Sequence, residues 1–259
     1  METRKFARDL LLNPSEAVAR IARSPEALRA SAILYIAFLC ASAIFYALKP
    51  ENFPPPQGDI ELIRGPEESR GLWFWIKVQS WNPFLSLVWT VLLGWFSSFL
   101  KFSPLGKPLS LLTAGVMGML PLIPILLYVN HLIPRSIFLA VWLVFLGAMI
   151  PALRKRGASS WRPLLCLVLS VNVVNLALLA PFVLSVALRT AWMYHGLEFV
   201  LLFWTLGLGT YALSRLEELS TPRAFCAIFL SMLCQFWLVF SLYFLGLVPK
   251  DILKAMMSV

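Results

Sequence analysis

Charged side chains are scarce in this chain of 259 residues. Asp, Glu, Lys and Arg together make up 14% of it, whereas apolar residues make up 59%. A soluble domain carries about 25% charged residues, because a globular surface must stay solvated. This deficit excludes a soluble enzyme, a disordered chain and a small secreted domain held by disulfides. Together with the mean hydropathy of +0.79, it predicts an integral membrane protein.

Cysteine and catalytic motifs are also sparse. The four cysteines all lie in apolar runs, where cysteine behaves as a small hydrophobic residue. The phosphate-cradling glycine loop, the zinc-binding HExxH and the GxSxG turn are missing. We therefore expect no cofactor and no enzymatic activity. An intramembrane hydrolase is a minor alternative, because Glu217-Glu218 resembles the paired glutamates of CAAX-type membrane proteases. That pair falls in a predicted loop, and no intramembrane histidines follow it.

Seven apolar runs approach the length of about 20 residues that a membrane helix needs. In chain order they are Ala30–Leu48, Val78–Leu100, Pro108–Pro134, Ser136–Leu153, Pro163–Leu188, Phe199–Ser214 and Ala224–Pro249. The sixth run is the weakest, so six spans stay open, and so do five. The predicted fold class is an all-α, polytopic transmembrane helix bundle of about seven spans. Its transmembrane domain covers 30–259, with a long outside loop at 49–77.

The basic residues are distributed unequally over the two sides of this bundle. The net charge is +9, and seven spans place 14 of the 22 Lys and Arg on the side of the N-terminus and 8 on the other. Because cytoplasmic loops collect Lys and Arg, the N-terminus is predicted to be cytoplasmic and the C-terminus outside. No basic stripe with interleaved aromatic residues indicates nucleic-acid binding. We expect membrane lipids as partners and no nucleic acid.

Residues 1–29 form the expected cytoplasmic, amphipathic segment. Asn13-Pro14-Ser15-Glu16 predicts a helix start with an N-cap, a proline at the first position and a capping box. The helix that follows carries Val18, Ile21 and Ala22 on one face. Upstream, Phe6 and Leu10 are spaced i, i+4. We expect short helices in the membrane interface, which form either a packing collar for the bundle, the interpretation we favour, or a docking surface for a partner.

Four arginines are candidates for contacts with lipid headgroups or a partner. Arg20 and Arg23 lie in the N-terminal segment, and Arg215 and Arg223 lie in the connection before the last run. Basic residues in such positions approach anionic lipid.

Polar side chains within the spans are costly, so each one marks a candidate site. Asn172 and Asn175 are spaced i, i+3 and share a face of the fifth run, and Gln235 in the seventh is expected to face the bundle. They form either a polar path for a substrate or interhelical hydrogen bonds, the simpler reading. His195 and Glu198 are also spaced i, i+3. They are weak candidates for part of a metal site, and a wet interfacial pair is the simpler reading.

Three prolines are expected to break helices within the membrane. Pro121 and Pro124 interrupt the third run, and Pro181 interrupts the fifth. Kinked spans of this kind are purely structural or line a cavity.

Three stretches of the chain carry a family resemblance. Leu11-Leu12-Asn13-Pro14 followed by EAVARIARSPEAL combines a proline-started helix, a second proline and the start of the first span. The other two are GLGTYALSRLEELSTPRAFCAIFL (Gly207–Leu230) and Leu105-Gly106-Lys107-Pro108. In this order they resemble the opening, the closing region and the middle of the Yip (Ypt/Rab-GTPase-interacting protein) domain family. The family usually has five spans, a cytoplasmic N-terminus and an outside C-terminus.

The resemblance implies a non-enzymatic membrane scaffold or organiser that acts through protein or lipid contacts. Eukaryotic members are endomembrane proteins tied to vesicle traffic and small GTPases, and prokaryotic relatives lie in the cytoplasmic membrane. The implied partners are another membrane protein or a small GTPase. The alternative function, indicated by the polar and kinked spans, is a permease or transporter subunit with a polar path at the third and fifth spans.

Overall fold

The structure, a computed structural model, describes residues 3–50, 53–54, 71–103, 106–154, 156 and 160–257. Over these residues the chain forms helices and no strand, which confirms the all-α prediction. Most of the predicted loop at 49–77 lies outside the described residues. The helices are α1 (Thr3–Leu12), α2 (Pro14–Arg23), α3 (Glu26–Leu48), α4 (Leu72–Gln79), α5 (Asn82–Phe102), α6 (Lys107–Met119), α7 (Leu122–Val129), α8 (Arg135–Arg154), α9 (Trp161–Ser170), α10 (Val173–Ala187), α11 (Ala191–Glu217), α12 (Thr221–Phe244) and α13 (Lys250–Met257).

Among the described residues, six helices or helix pairs are long and apolar enough to cross a membrane. They are α3, α4 with α5, α6 with α7, α9 with α10, α11, and α12. The sixth predicted run, the weakest in the sequence, is the 27-residue α11, which starts well before Phe199 because the helix continues through His195 and Glu198. The run that is shorter than a membrane span is instead the fourth. Its apolar stretch within α8 covers only Arg135–Pro151.

Helix α8 nevertheless joins the two ends of the bundle. At its start, Arg135 donates a hydrogen bond of 2.9 Å to the carbonyl of Leu245, just after α12. Two residues after its end, Arg156 pairs with Glu217, the last residue of α11. Helices α1 and α2 lie at the start of α3, and α13 lies at its end. The N-terminal helices α1 and α2 and the C-terminal helix α13 therefore lie at opposite ends of the bundle. We call the two ends the N-terminal end and the C-terminal end of the bundle.

Helices α1 and α2 pack as a collar against the N-terminal end. Phe6, Leu10 and Ile21 are completely or almost completely buried, in one cluster with the start of α3 and with α9 and α10. The predicted apolar face of α2 is correct for Val18 and Ile21 and wrong for Ala22, which is exposed while Ala17 is buried.

The starts of α2 and α3 follow the predicted proline signals. Pro14 occupies the first turn of α2, but the Asn13 side chain forms no capping hydrogen bond, so the predicted capping box is wrong. Glu16 turns instead to Arg20, at 3.3 Å. At the next start, the Ser24 hydroxyl accepts the backbone N–H of Glu26 at 3.2 Å.

Three of the spans are broken within the bundle. The break between α6 and α7 lies at Pro121, as predicted, and Pro124 fits the first turn of α7, where no N–H is needed. The fifth span does not break at Pro181, which lies inside α10. The fifth span breaks at Asn172 instead. There the side-chain amide of Asn172 donates to the Val168 carbonyl at 3.1 Å, in place of the backbone N–H that would bond this carbonyl in a continuous helix.

The second span also breaks, which the sequence analysis did not predict. Helix α4 ends at Gln79, and α5 starts again at Asn82 with Pro83 in its first turn. Proline there cannot donate to the preceding turn, so the backbone restarts as a new helix.

The half of the bundle near the N-terminal end is filled by apolar side chains. Leu93, Phe96, Leu164 and Leu213 are fully buried in one cluster that joins α5, α9 and α11. Helices α11 and α12 approach closely here, because a Cβ on Gly209 would lie only 2.8 Å from the Ile228 side chain. Gly209 therefore permits the close contact of these two helices, and this half of the bundle holds the helices together.

Candidate functional site

A polar cleft of about 530 Å³ opens within the other half of the bundle, toward the C-terminal end. Four of the five polar residues that the sequence singled out in the later spans line it, namely Asn172, Asn175, Glu198 and Gln235, whereas His195 does not. Further polar lining comes from residues that the sequence analysis did not select: Tyr35, Gln79, Asn82, Ser86, Trp89 and Thr205. Side chains from five candidate spans thus converge on one space.

Two helix breaks place polar groups at the cleft. Gln79 and Asn82 flank the break between α4 and α5, and Asn172 lies at the break between α9 and α10. Non-helical backbone at membrane depth is tolerated where it is buried in protein or lines a cavity. The third span, which was predicted to share a polar path with the fifth, contributes none of the described lining residues of this cleft. The second span takes its place.

Hydrogen bonds between helices hold parts of the cleft wall in place. The hydroxyls of Tyr35 and Ser86 are 2.8 Å apart and join α3 to α5. The indole N–H of Trp89 donates to the hydroxyl of Ser231 at 2.9 Å and joins α5 to α12. The wall is therefore pre-formed on this side.

Other polar groups of the lining have no protein partner among the described residues. Gln79 is only 4% exposed, and its Nε2 has no hydrogen-bond partner, although its Oε1 accepts from the amide of Asn82. The Thr205 hydroxyl is also buried without a partner. No hydrogen bond links the amides of Asn175 and Gln235 to another described residue, so the interhelical hydrogen bonds expected for them are not formed within that part of the chain. The cleft thus offers unused donors and acceptors.

A charged cluster forms the rim of the cleft at the C-terminal end. His195 Nδ1 lies 2.8 Å from Glu198 Oε2, which is the interfacial pair predicted from the spacing. Lys49 Nζ lies 5.2 Å from the ring centres of both Tyr46 and Tyr194. Burial lowers the pKa of Lys49, and the charge of Glu198 opposes that shift. Within the described ranges, no three His, Cys, Asp or Glu side chains come together, so the pair finds no third metal ligand there.

A buried ion pair closes the N-terminal end. Arg156 and Glu217 pair with side chains that are 5% and 12% exposed. Arg156 also donates to the Gly94 carbonyl at 2.7 Å and to the Ser97 hydroxyl at 3.0 Å, and its guanidinium lies 5.4 Å from the ring centre of Trp161. In the sequence, Arg156 is one of several basic residues in the connection between the fourth and fifth predicted runs. The signal that could have found it is an acidic residue in the last turn of a span beside an arginine-rich connection.

The same contact corrects the placement of the paired glutamates. Glu217 ends α11 rather than lying in a loop, and Glu218 adopts the left-handed conformation of the helix C-cap. The carboxylate of Glu217 therefore forms an ion pair with the guanidinium of Arg156.

The four predicted contact arginines differ in their surroundings. Arg20 lies 2.6 Å from the buried carboxylate of Asp9, which joins α2 to α1, so its role is internal. Arg223 donates to the hydroxyl of Ser110 at 3.3 Å. Arg23 and Arg215 are exposed at the N-terminal end and remain candidates for lipid or partner contacts.

Comparison with protein-family models, with curated proteins and with solved structures gives no match. The resemblance to the Yip domain family therefore stays a prediction that depends on three stretches of sequence. The geometry of the site is that of a cleft lined by polar side chains toward the C-terminal end of a helical bundle, with an apolar cluster in the other half.

Proposed function

We propose that the protein is a permease-type membrane protein that binds a small, uncharged, hydrogen-bonding group in the cleft and exposes it alternately to the two sides. The observation that carries the proposal is the amide nitrogen of Gln79, buried and without a partner at the edge of a helix break in the cleft. A buried polar group without a partner costs about 1–3 kcal/mol. A bound ligand that accepts this hydrogen bond would recover that free energy.

The depth of the cleft supports a role in moving a ligand. Asn172 lies eleven residues after the start of α9 at Trp161. At about 1.5 Å per residue, this is roughly 16 Å from the N-terminal end, near the middle of a hydrocarbon core of about 30 Å. A ligand at Asn172 therefore sits halfway across the membrane, as in transporters whose binding sites lie at broken helices.

The closed half supplies the barrier that alternating access requires. The apolar cluster around Leu93, Phe96 and Leu213 fills the bundle below the cleft, and the Arg156–Glu217 pair lies beyond it. Transport requires a second state in which this half opens and the rim closes. No catalytic step is part of the proposal.

Ligand binding by the purified full-length protein tests the proposal. Thermal unfolding followed by tryptophan fluorescence is measured with glycerol, glucose and octyl glucoside, and uptake of radiolabelled glucose and glycerol is measured in proteoliposomes. We expect saturable stabilisation by at least one of these compounds, because a ligand that binds only the folded state stabilises it.

Matched variants assign that binding to the cleft. Asn175→Leu combined with Gln235→Leu removes two unpaired amides, and the stabilisation should disappear. Asn130→Leu removes an exposed asparagine outside the cleft and should leave it unchanged. Equal stabilisation of the wild type and the double variant by every compound contradicts the proposal.

A membrane scaffold of Yip-like type is the second candidate. The exposed Arg23 and Arg215, with Arg4, Lys5 and Arg8 around the collar, favour it because they form a basic surface at the N-terminal end. Membrane lipids, another membrane protein or a small GTPase would bind there. Charge reversal at Arg23 and Arg215 should then abolish capture of anionic vesicles or of a GTPase in a pull-down. Capture that is unchanged by the reversal removes this candidate.

A further inference from the structure

We infer that the ligand of the cleft is a lipid with an uncharged, hydroxyl-rich headgroup, a glycosylated diacylglycerol in chemical class, which reaches the cleft sideways from the membrane between α11 and α12. The inference rests on the proposed function and names the ligand class and its route.

The first observation is the way in which α11 and α12 separate. Near the N-terminal end the two helices touch at Gly209 and Ile228, and Ala212 and Ala227 are fully buried. Toward the C-terminal end the same two helices line the cleft, α11 with Leu201, Leu202 and Thr205, and α12 with Met232, Gln235, Phe236 and Val239. The two helices therefore touch near the N-terminal end, and farther along both of them border the cleft.

The second observation concerns the two edges of the cleft on α11 and α12, at Leu202 and Phe236, which we call the lips. Both lips are exposed on the outer surface of the bundle. Leu202 lines the cleft and is 43% exposed, three residues after Phe199 on the outward apolar stripe of α11. Phe236 lines the cleft and is 38% exposed, on the stripe of α12 that also carries Phe225 and Phe229. Residues three or four apart share a face of a helix, so each lip belongs to a lipid-facing stripe. The polar space is thus open to hydrocarbon between two apolar lips.

An opening of this kind fits an amphipathic ligand. A fully water-soluble solute gains nothing from a route through hydrocarbon, whereas a lipid can keep its acyl chains in the membrane while its headgroup enters the polar space. The apolar lips at Leu202 and Phe236 then contact the chains, and the amides of Gln79, Asn175 and Gln235 contact the headgroup.

The lining selects an uncharged headgroup. None of the described lining residues is lysine or arginine, and the one charged residue is the carboxylate Glu198. Lys49 of the rim cluster already lies beside the Tyr194 ring and interacts with the charge of Glu198. A lipid phosphate at the depth of the amides would therefore meet this carboxylate without a free cation beside it, which is unfavourable. Carboxamides and hydroxyls pair well with sugar hydroxyls, and the aromatic residues Tyr35 and Trp89 are also part of the lining.

Photocrosslinking in vesicles tests the inference. The full chain is reconstituted in phosphatidylcholine vesicles that contain a glucosyl diacylglycerol with a diazirine in one acyl chain, and the labelled peptides are identified by mass spectrometry. We expect adducts to concentrate at residues 199–205 and 232–239. The outward face of α8, with Leu143 and Val144 exposed, reports ordinary contact with bulk lipid.

Competition and variants identify the headgroup. Unlabelled glucosyl diacylglycerol should remove the concentrated labelling, and additional phosphatidylcholine should not. Asn175→Leu with Gln235→Leu should lower the enrichment about tenfold, because two hydrogen bonds to the headgroup are lost. Asn130→Leu should leave the labelling unchanged. If the double variant does not fold, the competition in the wild type decides alone.

Each other outcome is decisive. Even labelling of α8 and of the two lips overturns the inference. If free glucose still stabilises the wild type and not the double variant, the proposed function stands with a water-soluble ligand and only the lipid inference is overturned. If neither the glucosyl lipid nor any of glycerol, glucose and octyl glucoside distinguishes the wild type from the double variant, both are overturned.

Discussion

Replacement of Arg156 by alanine would open the ion pair that closes the N-terminal end of the bundle. Both partners are buried, and the guanidinium also serves the Gly94 carbonyl and the Ser97 hydroxyl. The variant leaves the carboxylate of Glu217 without a cation. Removal of one partner from a buried pair costs about 3–5 kcal/mol, because the remaining charge is desolvated and unpaired. We expect a loss of this size in the free energy of unfolding.

The assay is denaturant unfolding of the purified protein in mixed micelles, followed by tryptophan fluorescence and extrapolated linearly. Arg154→Ala is the matched control, because Arg154 is exposed two residues earlier, and it should change stability by no more than about 0.5 kcal/mol. Arg156→Met combined with Glu217→Leu should recover at least about half of the loss, since no buried charge then remains unpaired.

Two results would refute this reasoning. If Arg156→Ala is as stable as Arg154→Ala, the pair is solvated rather than buried. If the double variant is as unstable as Arg156→Ala, the loss comes from packing against the aromatic and helical neighbours rather than from the unpaired carboxylate.

Further predictions concern packing and pH. Gly94→Ala should destabilise by about 1–3 kcal/mol in the same unfolding assay, since its Cβ would lie 2.6 Å from the indole of Trp161. Gly115→Ala, where a Cβ meets nothing within 4 Å, should be neutral or stabilising, and equal behaviour of the two would contradict the packing. Burial lowers the pKa of Lys49, so the unfolded chain binds more protons between the folded pKa and the ordinary value of 10.5, and stability should rise with pH in that window. Lys49→Met should remove this contribution. If the unfolding free energies of Lys49→Met and the wild type depend on pH in the same way, the predicted contribution of Lys49 is excluded.

The membrane fold could be predicted from the sequence because apolar length alone specifies a span. The beginning of α11 shows where this rule fails to give the length of a span. Its first turns contain His195 and Glu198, and the helix nevertheless continues through them, since a helix satisfies its own backbone whatever its side chains. Charge-free runs therefore underestimate a span whose end lies at a polar rim.

The breaks were predicted less well, because proline is not the only cause of a break. Asn172 interrupts the fifth span by taking over carbonyls of the preceding turn, while Pro181 is accommodated inside α10. The Asn side chain can hydrogen-bond to nearby backbone groups and so compete with the helix. Asn172 could therefore have been used to predict the helix break as well as the polar face.

The cleft itself could be predicted only in part. The spacing of Asn172 and Asn175 identified one polar face, and Gln235 was expected to point into the bundle. Periodicity along one helix does not specify which faces of other helices it meets, so the meeting of these residues with Gln79 and Thr205 required the tertiary structure.

The most direct test of the central claim is the accessibility of the cleft to water from the C-terminal end. Cysteines are introduced singly at Asn175 and Gln235 in a variant that lacks the four native cysteines, and a membrane-impermeant methanethiosulfonate reagent is added to one side of oriented vesicles. Val174→Cys is the control, because Val174 is fully buried beside Asn175. We predict rapid modification at both cleft positions from the side of the C-terminus, and none from the other side. Modification at the slow rate of Val174→Cys, or only from the side of the N-terminus, would contradict the account.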